Sequence, residues 1–542
     1  MMMASNHYCL SAPTKEIRLL DLLPATSSGM LSGQPRRVSI DDTPPFVSVS
    51  HAWGHEKAEA LMHLESGCGN RDVPISRNLE SLLLSLLCHD STTLPQLWNN
   101  GSILPMWIDM VCINQIDVSE KASQIPLMRR IYSQAKSVII WINESDSHLR
   151  YAFHYLPCDW FHRRWVVQEA VIPKEAVFLY GSDVMTMDDL FSGIDLATSA
   201  LVARPKDMKI LKVATIGSIR PILVLRQLKQ TLCDGRDHRN LLWLLENLRS
   251  TRATMAHDQV YGLLGLCSLE EASDNPIRYD LEPEEIFRIS VETHARLYNS
   301  LEFLGLCTPA QRDHIGSGAS HMPHRPFRGP SWGNELAVSG ILIDKIQALG
   351  DFCHQSRHAE LSDPNSMLFQ QYFDFWMKSA TDDESAAYAN SESQAEAFAR
   401  TLSLLGVYLD PVPSSDVVPT MFYHWCKGSK LGRHLEELGL GSRLTDKEAC
   451  KRSFIRMKRL LSWQPFVTKK GYIGLAREQC RAGDEIWVAA GCSVPIVLSP
   501  TDETQGGNME VRGESFLDGF MFGEIFAGST RDTRKPEIVT LI

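Results

Sequence analysis

What this chain lacks narrows its chemistry before any motif is considered. No clustered run of Lys or Arg stands out in a composition of 54 basic and 65 acidic residues, a net charge of −11. Phosphate binding needs clustered cations, so nucleic acid is not an expected partner; solubility accounts for the mild acidity. No uninterrupted apolar run reaches the ~20 residues that a bilayer-crossing helix requires. The opening segment "MMMASNHYCLSAPTKEIRLLDL" lacks the basic-then-apolar order of a secretory signal. The 13 cysteines contain no CxxC pair and no regular spacing. That pattern argues against a disulfide frame or zinc site and for reduced, mostly buried thiols in a cytoplasmic protein. No GxGxxG, Walker A or GxSxG motif occurs, which counts against nucleoside-triphosphate and serine-hydrolase chemistry.

What is present is an ordinary globular composition, 44% hydrophobic and 22% charged over 542 residues, long enough for two to four domains. Residues 1–40 read as a leader ending in the Ser-, Gly- and Pro-rich loop "PATSSGMLSGQPRR". A regular alternation follows over 41–185. "FVSVSHAWG" is a Val-rich strand running into a Gly turn at Gly54, and "PMWIDMVCINQ" is a second strand from Met106 to about Val111. "SVIIWIN" is a third, near-continuously apolar as a central parallel strand should be, and "AVFLYG" a fourth. Between them, Leu79, Leu82, Leu83 and Leu86 share one helical face, and Ile125, Met128, Tyr132 and Ala135 another. Pro126 requires the second helix to start near it or kink there. "FHRRWVVQEAVIP" reads as a third helix, capped by Asp159. This order predicts an α/β domain: a parallel sheet with right-handed crossovers and helices on both faces.

Downstream, residues 186–350 read as mainly helical, and 351–460 as further helices joined by acidic, Ser-rich linkers. Over 461–542 the short segments "GYIGLA", "DEIWVAAG", "VPIVLSP" and "MEVRGESFLDGFMFGE" predict a small β-rich domain, either a barrel or a sandwich.

In an open parallel sheet, ligands bind beyond the C-terminal strand ends, near the switch point of strand order. The residues placed there are Ser50, His51 and Trp53 after the first strand, and Asp109, Asn114 and Gln115 after the second. Asn and Gln at such a place suit a ligand amide or ribose hydroxyls; turn chemistry, in which they bond their own backbone, is the competing account and the better one on position alone. Glu169 lies four residues after Trp165 and so shares its helical face. A carboxylate beside an indole is partly desolvated, which raises its pKa. On spacing alone, a plain structural helix residue is the simpler account. Cys112 has no sequence-adjacent His and reads as structural. His314, His321 and His324 lack Cys or carboxylate partners, so no metal site is expected.

Taken together, "FVSVSHAWG", "MWIDMVCINQIDVSEKASQIPLMRRIYSQAKSVIIWI" and "RRWVVQEAV" resemble the successive blocks of the HET domain of fungal heterokaryon incompatibility proteins, over about residues 40–180. "AHDQVYGLLGL", "IRYDLEPEEIFR", "PSWGNEL" and "AGDEIWVAAGCSVPIVLSP" look like the downstream region of HET-6-like members. Pro126 and the weak "SWGNEL" depart from the family pattern. The resemblance implies a role in non-self recognition and programmed cell death. It also implies distant kinship with TIR domains and their flavodoxin-like sheet, many of which cleave NAD at the nicotinamide–ribose bond with a glutamate shortly after a Trp. Trp165 and Glu169 occupy the corresponding places. On that basis Glu169 is the catalytic candidate, with Ser50, His51, Trp53, Asp109, Asn114, Gln115 and Trp165 as substrate-binding candidates. NAD enters as a substrate, no resident cofactor or metal is expected, and partners are other copies of the HET domain and an unidentified incompatibility protein. A non-enzymatic, TIR-like assembly module is the alternative.

Overall fold

A computed structural model describes residues 10–24, 30–53, 60–65, 70–142, 159–180, 183–203, 214–233, 239–248, 251–306, 336–351, 366–379, 394–403, 418, 422–423, 426–437, 463–501, 508–521 and 535–541. The chain divides into two units, Met1–Thr293 and His294–Ile542.

In the first unit, β1 (Glu16–Leu23), β2 (Ser32–Ser39), β3 (Val47–Ser50), β4 (Ala60–Leu64) and β5 (Arg71–Ile75) precede α1 (Arg77–Cys88). The two-residue strands β6 (Trp98–Asn99) and β7 (Ser102–Ile103) form a separate hairpin. Then come β8 (Met106–Ile108), α2 (Asp109–Cys112), α3 (Val118–Gln124), α4 (Met128–Gln134) and β9 (Val138–Trp141). The 3₁₀ turn Asp159–His162, α5 (Val166–Val171), β10 (Ala176–Tyr180) and β11 (Asp183–Thr186) complete the alternation. Among the described residues α6 (Met187–Ala203), α7 (Ala214–Cys233), α8 (Leu241–Asn247), α9 (Asp258–Leu264), α10 (Leu269–Ser273) and α11 (Pro283–Tyr298) follow.

The sheet runs β11-β10-β9-β3-β8-β1-β2-β4-β5. Its centre is the four predicted strands, and β10–β9, β9–β3 and β3–β8 all pair in parallel, with Val49 opposite both Ile139 and Ile108. Every residue of β3, β8 and β9 is buried, which explains their unbroken apolar or small-residue character. The chain passes from β3 to β8 on one side and then crosses to β9 on the other. Strand order therefore reverses at β3, and its C-terminal end is the switch point.

The edges differ from the expected purely parallel sheet. Residues read as a leader form the β1–β2 hairpin, and β1 pairs antiparallel to β8. Strand β11 closes the opposite side, also antiparallel, so the sheet is mixed. The helices follow their stripes: Leu79, Leu82, Leu83 and Leu86 of α1 are buried, and Ser76 caps it through Leu79 N–H at 3.1 Å. Pro126 lies in a 3₁₀ turn, Ile125–Leu127, and α4 starts directly after it. A buried Arg18–Glu120 pair (2.5 and 2.9 Å) joins β1 to α3.

In the second unit α12 (Phe303–Leu306) precedes β12 (Leu336–Leu349), which pairs with β13 (Trp463–Thr468), β15 (Glu485–Ala489) and β18 (Glu537–Leu541). With β14 (Ile473–Arg477), β16 (Ile496–Pro500) and β17 (Met509–Leu517), the pairings run β12-β13-β14-β17-β16-β15 and return to β12. The sheet closes into a barrel, which removes its open edges. Its first strand, β12, lies within a stretch read as mainly helical. Helices α13 (Met367–Ser379), α14 (Gln394–Ser403) and α15 (Lys430–Glu437) share one apolar cluster with barrel residues Trp463, Ile473, Leu475 and Phe516. Trp376 of α13 donates to the Phe466 carbonyl at 2.9 Å, and Arg400 of α14 pairs with buried Asp518 at 2.9 Å. Among the described residues no helix is long and apolar enough to cross a membrane. His314, His321 and His324 lie outside the described residues.

Candidate functional site

Strand β3 ends at Ser50, and β8 ends directly before Asp109. The side chains that emerge there are gathered around a third group, Glu169, which α5 presents from beyond β9. Glu169 is 3% exposed. Its Oε2 accepts a hydrogen bond from Ser50 Oγ, and the Tyr132 hydroxyl of α4 also bonds to the carboxylate. Desolvation is the main influence on it and pushes its pKa up to about 7; the nearby Arg163 guanidinium and the two hydroxyls pull the other way, while Asp109 adds to the rise. At neutral pH this carboxyl is therefore poised between its two forms.

His51 is also buried, and among the described residues neither ring nitrogen has a hydrogen-bond partner. Burial lowers its pKa to about 4, with Asp109 opposing and Arg163 assisting, so it is a neutral imidazole at pH 7. Arg163 donates to the His51 backbone carbonyl. Asp109 is occupied on both oxygens: Oδ1 accepts from Met110 N–H at 2.7 Å and Oδ2 from Trp53 Nε1 at 2.9 Å. Nearby, Trp141 Nε1 donates to Asn78 Oδ1 (2.9 Å), whose amide donates to the Ala52 carbonyl (2.6 Å). These bonds hold residues 51–53 at the strand ends.

The other candidates behave as turn residues. Asn114 Oδ1 accepts from Ile116 N–H (3.3 Å), and its own N–H donates to Glu120 Oε1 (2.8 Å). Gln115 Nε2 donates to the Asp109 carbonyl at 2.8 Å, which braces the loop beneath Asp109. Trp165 is the N-cap of α5 and half-buried; its indole lies 3.6 Å from where a β-carbon on Gly262 would stand. The predicted continuous helix is instead a 3₁₀ turn and a separate six-residue helix. Asp159 accordingly starts the turn and does not cap α5. The indole tied to the Glu169 network is that of Trp160, which donates to Ser50 Oγ at 2.7 Å. Cys112 is buried, with its thiol pushed up to about 12 by desolvation, so it is no nucleophile.

Sequence reasoning missed two participants. Tyr132 reads as one member of an apolar helical stripe, and nothing in the sequence pattern singles out Trp160. The phenol and indole polar atoms, which need partners when buried, were the available signal. A further surprise is the "AHDQVYGLLGL" segment. Helix α9 packs on α5: Gln259 Oε1 accepts from Arg164 Nε (3.0 Å), and Gln168 Nε2 donates to the Tyr261 carbonyl (3.4 Å). Arg252 brackets the approach to α5 by donating to the His162 carbonyl (2.5 Å) and accepting from Arg164 N–H (2.8 Å). Among the described residues no group of three His, Cys, Asp or Glu could hold a metal ion.

Comparison with known proteins agrees with the resemblance read from the sequence. Residues 46–157 match the family Heterokaryon incompatibility protein (HET), and residues 428–535 match the Het-6 beta-barrel domain. Trp160, Trp165 and Glu169 lie just beyond the first match. The chain is 36% identical to Heterokaryon incompatibility protein 6, OR allele, of Neurospora crassa over 138 residues, 24% of this chain and 19% of the relative. It is 24% identical to Vegetative incompatibility protein HET-E-1 of Podospora anserina over 144 residues, 25% of this chain and 10% of the relative. The similarity thus spans about a fifth and a tenth of these two relatives. No solved structure is significantly similar to the chain.

Proposed function

We propose that this chain, which carries a heterokaryon incompatibility domain and a Het-6 barrel domain, is an effector of fungal non-self recognition. Its α/β unit would trigger cell death by hydrolysing NAD at the nicotinamide–ribose bond, in assemblies of several copies. The observation that carries the reading is the buried Glu169 carboxylate, held by Ser50 at the C-terminal edge of the parallel strands. The spatial order of those strands, second-first-third-fourth, is also that of flavodoxin-like sheets, the architecture of TIR domains.

The chemistry suits one carboxylate. Nicotinamide is attached as a cation and departs neutral, so its leaving needs no general acid. Glu169 would accept hydrogen bonds from the ribose hydroxyls and face the oxocarbenium-like transition state. Water then adds to the anomeric carbon, giving ADP-ribose, nicotinamide and a proton. Neutral His51 and Asp109 are the polar groups beside that carbon's path, and Trp53 supplies a ring on which a base could stack.

One observation favours a second reading. Glu169 is buried and bonded by two protein hydroxyls, as a purely structural carboxylate would be. On that account the domain works by assembly, without a reaction. The test is nicotinamide release from NAD by the full chain, together with toxicity in a fungal host. The enzymatic reading expects both to be lost in Glu169→Gln. Toxicity that survives the substitution while the folded chain leaves NAD intact would establish the assembly reading instead.

A further inference from the structure

Two donors from separate elements reach Glu169, and chemistry dictates the direction of each bond. The indole N–H of Trp160 can only donate, and it stands 2.7 Å from Ser50 Oγ. Ser50 therefore accepts from Trp160, and its single hydroxyl proton is left for Glu169 Oε2, the bond it makes. Tyr132 provides the second hydroxyl. That phenol keeps its proton, because burial beside Glu169 and Asp109 raises its pKa well above the ordinary value.

Both donors are immobilised. Trp160 sits edge-on to Phe161 and Phe178, with ring centroids 5.0 and 5.6 Å away, and Tyr132 is edge-on to Trp107 at 5.5 Å. Among the described residues, the charged and titratable groups around Glu169 are few. Arg163 approaches from the lead-in to α5 and Asp109 from the end of β8. His51 follows Ser50 and stays neutral. Of the helices packed on α5, α9 contributes the neutral Gln259 to Arg164, and α7 contributes Lys229, which is engaged with the Val171 and Pro173 carbonyls at the far end. Among the described residues the two hydroxyls are thus the direct hydrogen-bond donors to this carboxylate, opposing its desolvation.

We propose that Trp160, acting through Ser50, and Tyr132 are positioning residues for Glu169, orienting its carboxylate and favouring its ionised form over its protonated one. The inference rests on the proposed reaction only for its activity readout; the positioning itself is testable without substrate.

The experiment follows the infrared band of the protonated Glu169 carboxyl in the full chain, identified by its loss in Glu169→Gln, as pH is raised. Losing one charge-assisted hydrogen bond should change the ionisation constant roughly tenfold. Ser50→Ala and Tyr132→Phe should each move the band's midpoint upward by about that factor. Trp160→Phe should move it the same way but less, since Ser50 is then free to turn. Ser50→Ala is nearly isosteric, so the test survives if Trp160→Phe fails to fold. Trp98→Phe, remote from this network, should leave the midpoint in place. The pH profile of nicotinamide release should move with the band in each variant. An unchanged or lowered midpoint in both Ser50→Ala and Tyr132→Phe overturns the proposal. A shifted band in a chain that never cleaves NAD upholds the positioning and removes the reaction.

Discussion

Glu169 and His51 make opposite demands on pH, and replacing one of them should expose the other. Glu169 titrates at about 7 in the fold against 4.5 for an unperturbed carboxyl. Its folded-state pKa is raised, so it favours the folded state at low pH, and that advantage is lost as pH rises from 4.5 through 7. His51 titrates at about 4 against 6.5. Its pKa is lowered, so the unfolded chain takes up its proton first, and the fold loses ground as pH falls from 6.5 through 4. Between pH 7 and pH 5 these values give Glu169 a gain of about 2 kcal/mol and His51 a loss of about 2 kcal/mol. The wild-type site is then nearly indifferent to acidification in this range. Glu169→Gln removes the gain and keeps the loss, so the variant should fall about 2 kcal/mol further behind wild type at pH 5 than at pH 7. His51→Gln should show the reverse trend, and the double variant should restore the flat profile unless the two sites couple. Because the chain divides into two compact units, a single global melt does not report on the first unit alone. The assay is instead amide hydrogen exchange of peptides covering Val47–Ser50 and Val166–Val171, corrected for the intrinsic pH dependence of exchange. The barrel strand Ile473–Arg477 serves as an internal reference. If the gap between wild type and Glu169→Gln is the same at both pH values, Glu169 is not a desolvated carboxyl and the reasoning fails.

Other outcomes follow from the same geometry. Nicotinamide release, if it depends on ionised Glu169, should rise with pH through about 7 and level off above it, as initial rates across pH 5.5–8.5 would show. Arg18→Met strands Glu120 in the core and should cost about 3–5 kcal/mol, whereas Arg18→Met with Glu120→Leu should recover most of it in denaturant titrations of the first unit. Gly265→Ala places a β-carbon against the Gln168 side-chain amide; it should speed exchange in α5 and weaken any activity that depends on Glu169. Gly474→Ala puts a β-carbon 2.5 Å from the Phe516 carbonyl oxygen. It should destabilise the barrel by about 2 kcal/mol or more while leaving exchange in β3 unchanged.

The central sheet was legible because its four parallel strands are short, buried and apolar, a pattern with few competing explanations. The strands that escaped notice carry weaker signals. In β1, "EIRLLDLL" breaks strict alternation, since four consecutive residues are buried. In β2, "SGQPRRVS" has Gly, Pro and paired Arg where β-branched residues are expected. Strand β12 pairs with three partners and shifts register between Leu342 and Asp344 and again between Ile346 and Ala348. Each irregularity erases the period that would have revealed a strand. The site divides the same way. Ser50, His51 and Asp109 could be found because strand ends at a switch point are where ligands bind. Trp165 was favoured by its four-residue spacing from Glu169, but that spacing presumed one continuous helix. The 3₁₀ turn ahead of α5 brings Trp160 to Ser50 instead, and no local periodicity encodes that contact.

The burial of Glu169 bears on how the proposed reaction could operate. A carboxylate that is 3% exposed and bonded by Ser50 and Tyr132 offers no open face to a ribose in this arrangement. Catalysis would therefore require a second arrangement in which at least one of those hydroxyls gives way to a hydroxyl of the substrate. The exchange is chemically conservative, since an O–H donor replaces an O–H donor. Its cost lies in freeing packed groups more than in lost hydrogen bonding. Residues 51–53, after β3, are held by the hydrogen bonds of Asn78 to Ala52, Trp53 to Asp109 and Arg163 to His51, which can open without disturbing the buried strands. A ligand or a neighbouring copy shifts such an equilibrium only by its differential affinity for the open form. If the closed form is favoured a hundredfold, about 2.7 kcal/mol must come from assembly or substrate to open it halfway. The proposed effector role, which ends in death of the cell, needs such a threshold, and weakening these hydrogen bonds should lower it. Asn78→Ala in the full chain should then raise nicotinamide release at low protein concentration. A lowered rate with the fold intact would mean that the Asn78–Ala52 bond serves to build the site and does not close it.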